Sequence, residues 1–138
     1  MDLDVISDIN WLAVVVATVI YMVLGGLWYG PLFGKTWMRA TGFEMPEERP
    51  GNEIYIAPMI AYLVASVSTA MLAEATASDT FVEGLVLGLL VGIGYAVTLS
   101  LVTSAFSPGT PEPRTLFVVT ASFNLLALTI GGVLVAIL

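Results

Sequence analysis

Four long apolar runs divide the chain: about Ile9 to Tyr29, about Tyr55 to Ala73, about Phe81 to Phe106 and about Thr115 to Leu138. Each holds about 19–26 residues, and about 20 residues at 1.5 Å per residue cross a ~30 Å hydrocarbon layer. The apolar positions run all round each segment rather than along one stripe, as helices surrounded by lipid need. Strict alternation is absent, and a membrane barrel needs at least about eight strands. The pattern therefore predicts an all-α fold, with residues 1–138 forming one domain. The expected architecture is a polytopic membrane protein built as a four-transmembrane-helix bundle.

The segments between the runs supply the helix ends. Ser7 or Asp8 is suited to cap the first helix. Thr80 followed by Glu83 fits a capping box for the third. In "SPGTPEPR", Thr110 is placed to cap the fourth helix, with Pro111 at its first helical position. The stretch "GGLWYGPLFGKTWMRATGF" (Gly25–Phe43) stands apart, dense in aromatic residues and punctuated by glycine. From about residue 31 to 42 it reads as a short helix. Leu32, Phe33, Thr36, Trp37, Ala40 and Phe43 then share one face, and Lys35 and Arg39 lie on the other. That is the pattern of an amphipathic helix at the membrane surface. Trp28 and Tyr29 suit the aromatic belt at the end of helix one. Two uses remain open for Trp28, Tyr29, Phe33, Lys35, Trp37 and Arg39: an interfacial anchor, or a lipid-headgroup or cation contact.

Composition strengthens the membrane reading. Of the 138 residues 58% are hydrophobic and only 11% charged, far from the roughly 25% charged of a soluble domain. Mean hydropathy is +0.96. The formal net charge of −7 argues against nucleic acid as a partner. With no Cys and no His, thiolate or imidazole metal sites and nucleophile–His pairs are excluded. No cofactor is expected. The basic residues set an orientation: Lys35, Arg39 and Arg49 lie in the first loop, and Arg114 opens the fourth helix. By the positive-inside rule this predicts a multi-pass cell-membrane protein, with loops one and three cytoplasmic and both termini outside. The leading "MDLDVISD" is acidic and lacks the basic start of a signal peptide, so the first span is expected to be retained.

Small residues recur every four positions: Ala57, Ala61 and Ala65 in helix two, and Gly84, Gly88 and Gly92 in helix three. Lipid tails are as apolar as leucine, so close approach across small residues is what joins such helices. These faces suit contacts within the chain or between copies, and a dimer or trimer is expected. Asn10, Tyr21, Tyr95 and Asn124 are the candidates for buried polar groups. Asn124, in the middle of helix four, needs a partner, and Tyr21, Tyr95, Thr98 and Ser100 are available. The other use for such groups is a polar path, lined by Thr18, Ser66, Thr98, Ser100 and Asn124. Glu74 and Glu83, with Asp8 and Asn10, form an outer acidic face. No carboxylate lies at mid-span, which argues against proton-driven pumping.

The opening third, "NWLAVVVATVIYMVLGGLWYGPLFGKTWMRATGF", resembles the family known as domain of unknown function 1761. Asn10, Trp11, Ala13, Gly26, Trp28, Tyr29, Pro31, Leu32, Phe33, Gly34, Lys35 and Trp37 carry the resemblance. It returns loosely with "GIGYAVTLSL" and Asn124. The resemblance implies small four-helix membrane proteins and assigns no activity. The expectation is a non-enzymatic, self-associating bundle that binds lipid or an unidentified membrane protein partner in the lipid bilayer. The alternative is a channel or facilitator for a small solute.

Overall fold

The computed structural model describes residues 3–48 and 50–138. Arg49, counted above among the basic residues of the first loop, lies outside them. All regular structure among the described residues is helical: α1 (Trp11–Leu27), α2 (Gly34–Thr41), α3 (Ile56–Ala75), α4 (Phe81–Val91), α5 (Thr98–Ala105) and α6 (Pro113–Ile137). Two wide, π-type turns join these into longer rods. Trp28–Leu32 prolongs α1, and Gly92–Val97 links α4 to α5. Four continuous segments are thereby long and apolar enough to span a membrane: Trp11–Leu32, Asn52–Ala75, Phe81–Ala105 and Pro113–Ile137.

The ends depart from expectation at two places. Asn10, not Ser7 or Asp8, caps α1: its Oδ1 accepts from the Leu12 and Ala13 amides at 3.0 and 3.3 Å. Ser7 ends a preceding single 3-10 turn, Leu3–Ser7, and its Oγ donates to the Asp4 carbonyl. Helix α6 starts at Pro113, not Pro111. A following proline pushes a residue towards extended backbone, and Glu112 sits at φ −130°, ψ 76°. Its amide donates to the Ala40 carbonyl at 3.1 Å instead of entering a helix. The capping box of α4 is present, with the Glu83 amide donating to Thr80 Oγ1 at 3.3 Å and the Thr80 amide to Glu83 Oε2 at 3.0 Å.

Helix α6 is the hub. It packs on α1, α3, α4, α5 and α2, whereas α1 and α3 also pack on each other and α4 touches α3 only slightly. The core lies between α1, α3 and α6. Ala13, Ala17, Tyr21 and Gly25 recur every four residues on α1 and are all buried. Buried with them, on the helices that α1 packs against, are Ser66, Thr69, Ala70 and Ala73 of α3 and Phe123, Ala127 and Gly131 of α6.

The small-residue stripe of α3 stays largely outside this chain's own core. Ala57 and Ala61 are exposed and Ala65 is half-buried. The inward face includes Tyr62, because Gly25 on α1 leaves the space its ring needs: a Cβ built on Gly25 would come within 3.1 Å of Tyr62 Oη. On α4 the expected face is the real one. Gly84, Gly88 and Gly92 all face α6. A Cβ on Gly88 would lie 2.6 Å from the Leu128 carbonyl oxygen and the Thr129 Cα, and one on Gly132 only 2.5 Å from the Gly84 carbonyl oxygen. The glycine comb is thus used inside the chain, where it brings two helix backbones into contact.

Candidate functional site

The aromatic segment forms a joint rather than a free surface. After Leu27 the chain widens, with the Phe33 amide donating five residues back to the Trp28 carbonyl at 2.8 Å. Gly30, at φ −105° and ψ −107°, makes the bend. The expected helix over residues 31–42 is therefore shorter, because Pro31 belongs to this wide turn. It still ends at Gly42, whose φ of +72° is the left-handed backbone that glycine adopts most readily. Trp28 and Tyr29 turn towards α6 and pack on Phe123, with ring centroids 6.2 and 5.2 Å apart. The Trp28 indole donates to the Val119 carbonyl at 3.0 Å. Phe33 lies against Trp28 with ring centroids 4.5 Å apart and planes tilted by 44°, and Trp37 meets Tyr29 edge-on at 6.1 Å. Lys35 and Arg39 stay exposed, and Arg39 Nε pairs with Glu112 Oε1 at 3.1 Å. Loops one and three thus meet at one end of the bundle.

The four polar candidates part company. Tyr21 is 1% exposed, and among the described residues neither its hydroxyl nor that of Ser66 makes a well-formed hydrogen bond, Thr69 offering Tyr21 only a weak one. Tyr21 Oη instead occupies the space left by the absent side chain of Gly131. A desolvated, unpaired hydroxyl costs roughly 1–3 kcal/mol. Tyr21→Phe is therefore expected to raise the unfolding free energy in mild detergent, by about 1 kcal/mol. A loss of stability instead would mean that the hydroxyl binds a group or water in the folded protein. Asn10 is exposed: it stands outside the first turn as a cap, and its Nδ2 donates to the Leu138 carbonyl oxygen at 2.9 Å. Tyr95 is also outside, 68% exposed. It lies within the wide turn, which shifts the helical register so that Gly92 and then Ser100 face α6 while Tyr95 points away.

Asn124 does find a partner, though a distant one. Its Nδ2 donates to Ser100 Oγ at 3.5 Å, the outer limit for such a bond. A carboxamide offers two donors and an acceptor oxygen, so most of its capacity is unmet. Together with Ser100, Thr103, Ser104 and Thr120 it lines a groove of about 350 Å³ between α5 and α6. Among the described residues no charged side chain lines it. Ser104 is more than nine-tenths buried. The other residues considered for a polar path lie elsewhere. Ser66 is in the core, Thr18 Oγ1 bonds back to the Val14 carbonyl, and Thr98 is exposed with its Oγ1 on the Gly94 carbonyl.

At the opposite end, Asp8, Asn10, Glu74 and Asp79 surround a cleft of about 330 Å³. Glu83 does not join this outer acidic face, because its carboxylate is engaged by Thr80 and the Asp79 amide. Among the described residues no three acidic groups come together as a metal site would require.

Comparison with known proteins fits this arrangement into a wider set. The model of the family described as "Protein of unknown function (DUF1761)" matches residues 12–136. The chain belongs to the DUF1761 family. No curated protein and no solved structure matches it. The match covers the aromatic joint, the glycine crossing and the α5–α6 groove, so all three lie within the DUF1761 region. Sequence reading singled out the joint, the α4 glycines and Asn124. It missed Phe123, Gly131, Gly132, Ser104 and Thr120. The adjacent glycines of "TIGGVL" were the one available signal, since a Gly-Gly pair inside an apolar helix marks a close approach.

Proposed function

We propose that this DUF1761 protein is a non-catalytic membrane bundle that holds a lipid-phase ligand in the α5–α6 groove. The observation that carries the reading is Asn124. A carboxamide at mid-span costs several kcal/mol in hydrocarbon unless it is paired, and here it has one long bond and an open groove beside it. A ligand with polar atoms supplies the missing partners. The polar lining of the groove, among the described residues, is hydroxyls and one carboxamide. The test is native mass spectrometry of the protein released from membranes in mild detergent. The wild type is expected to retain bound lipid and an Ala96→Phe variant, which fills the groove, to lose it. Equal retention by both would remove the groove from the proposal.

Self-association belongs to the same proposal. With the α4 glycines engaged by α6, the exposed Ala57–Ala61 ridge of α3 is the small-residue surface left for a second copy. A strictly monomeric mass, in detergent and after crosslinking in native membrane, would overturn it. The orientation proposed is cytoplasmic for loops one and three, on the strength of Lys35, Arg39 and Arg114. A reporter fused after Leu138 is then expected to be active only outside the cytoplasm, and cytoplasmic activity would reverse the topology.

A further inference from the structure

We infer that the ligand of the α5–α6 groove is an uncharged lipid whose polar part carries a free hydroxyl and ester oxygens, with diacylglycerol as the representative. The inference rests on the groove reading above and adds the chemical class. Three features carry it.

The first is depth. Asn124 lies eleven residues into α6 from Pro113, which at 1.5 Å per residue is about 16 Å, near the middle of a ~30 Å hydrocarbon layer. Ser104 and Leu116 lie nearer the end of the bundle where loops one and three meet. The groove therefore runs from the headgroup region down to mid-membrane, and its occupant places polar atoms well below the level at which phospholipid headgroups sit.

The second feature is charge. A phosphate drawn to that depth needs a counter-charge or loses its hydration uncompensated. None of the described residues lining the groove is charged. The ionic groups at that end of the bundle, the Arg39–Glu112 pair and the exposed Arg114 at the start of α6, do not belong to the lining. A lipid with no formal charge avoids this cost.

The third is hydrogen-bond type. Asn124 Oδ1 accepts from a hydroxyl. The Ser104 hydroxyl and the second Asn124 N–H donate to ester carbonyls. A free glycerol hydroxyl beside two esters matches that mixture. Alanine and leucine at positions 96, 99 and 116 flank the polar seam with apolar surface for the start of the acyl chains.

The test uses the full-length protein in phosphatidylcholine nanodiscs with trace photoactivatable diacylglycerol or, in parallel, photoactivatable phosphatidic acid. Crosslinked peptides are mapped by mass spectrometry. Diacylglycerol is expected to label the α5 and α6 peptides lining the groove at least about fivefold more than phosphatidic acid. Asn124→Leu is expected to lower that labelling about fivefold, the loss typical of one hydrogen bond. Ser104→Ala, a milder change that keeps the packing, is expected to lower it in the same direction if Asn124→Leu misfolds. Equal labelling of the groove by both probes overturns the uncharged class and leaves the groove reading standing. Labelling confined to peptides outside α5 and α6, with either probe, overturns both.

Discussion

Phe123→Ala is expected to lower the unfolding free energy by about 2 kcal/mol and to free the segment from Trp28 to Phe43. In water-soluble cores a Phe→Ala change costs about 3–5 kcal/mol, part of it lost transfer from water. Between helices in lipid that transfer part is largely absent, because the unfolded helices already lie in hydrocarbon. The cavity part remains: roughly 100 Å³ of missing ring at ~24 cal/mol per Å³ gives about 2 kcal/mol. The effect concentrates on one place because Phe123, 2% exposed, is where Trp28, Tyr29 and Tyr62 converge. Denaturant titration in mild detergent measures the loss, and limited proteolysis around Lys35 and Arg39 reports the release of α2. Unchanged stability would show that the Trp28 bond to Val119 and the Glu112 bond to Ala40 suffice to hold the joint.

Gly88→Ala is expected to cost about 1–3 kcal/mol, the usual range for forcing an extra methyl into a packed contact. The new Cβ would meet the carbonyl of Leu128 and the Cα of Thr129, both backbone, so no side chain can swing aside. α4 and α6 must separate, and the crossing at Gly84 and Gly132 loosens with them. Gly94→Ala is the internal contrast. A Cβ there meets nothing within 4 Å, and alanine is a better helix former by ~1 kcal/mol. That variant should be neutral or slightly stabilising. Equal effects from the two changes would refute a glycine-dependent crossing.

The architecture was legible because length and all-round apolarity leave few alternatives for 138 residues. The α4 glycines were legible because glycine in an apolar helix has few uses other than proximity. Which surface the α3 stripe meets was not legible, for a related reason. Alanine at every fourth position is compatible with a helix contact and equally with lipid, and no polar face exists to break the tie. Tyr62 turns inward only because Gly25 lies across from it, a complementarity between segments that no single-helix wheel displays. The wide turn at Gly92–Val97 was invisible for a third reason. It adds a residue to one turn without altering composition, yet it decides that Ser100 and Ser104 face α6 and Tyr95 does not. The groove depended on that shift, so of its polar members only Ser100 and Asn124 were singled out beforehand.

The central place of α6 bears on how the protein is made. A ribosome delivers α1 first and α6 after every other helix described here. At about 5–20 residues per second, roughly 5–20 s pass between the two. Through that interval Tyr21, the comb of Gly84 and Gly88, and the paired aromatics Trp28 and Tyr29 stand in the bilayer or translocon without the surface they are shaped to meet. The arrival of α6 thus supplies contacts to five earlier helices at once.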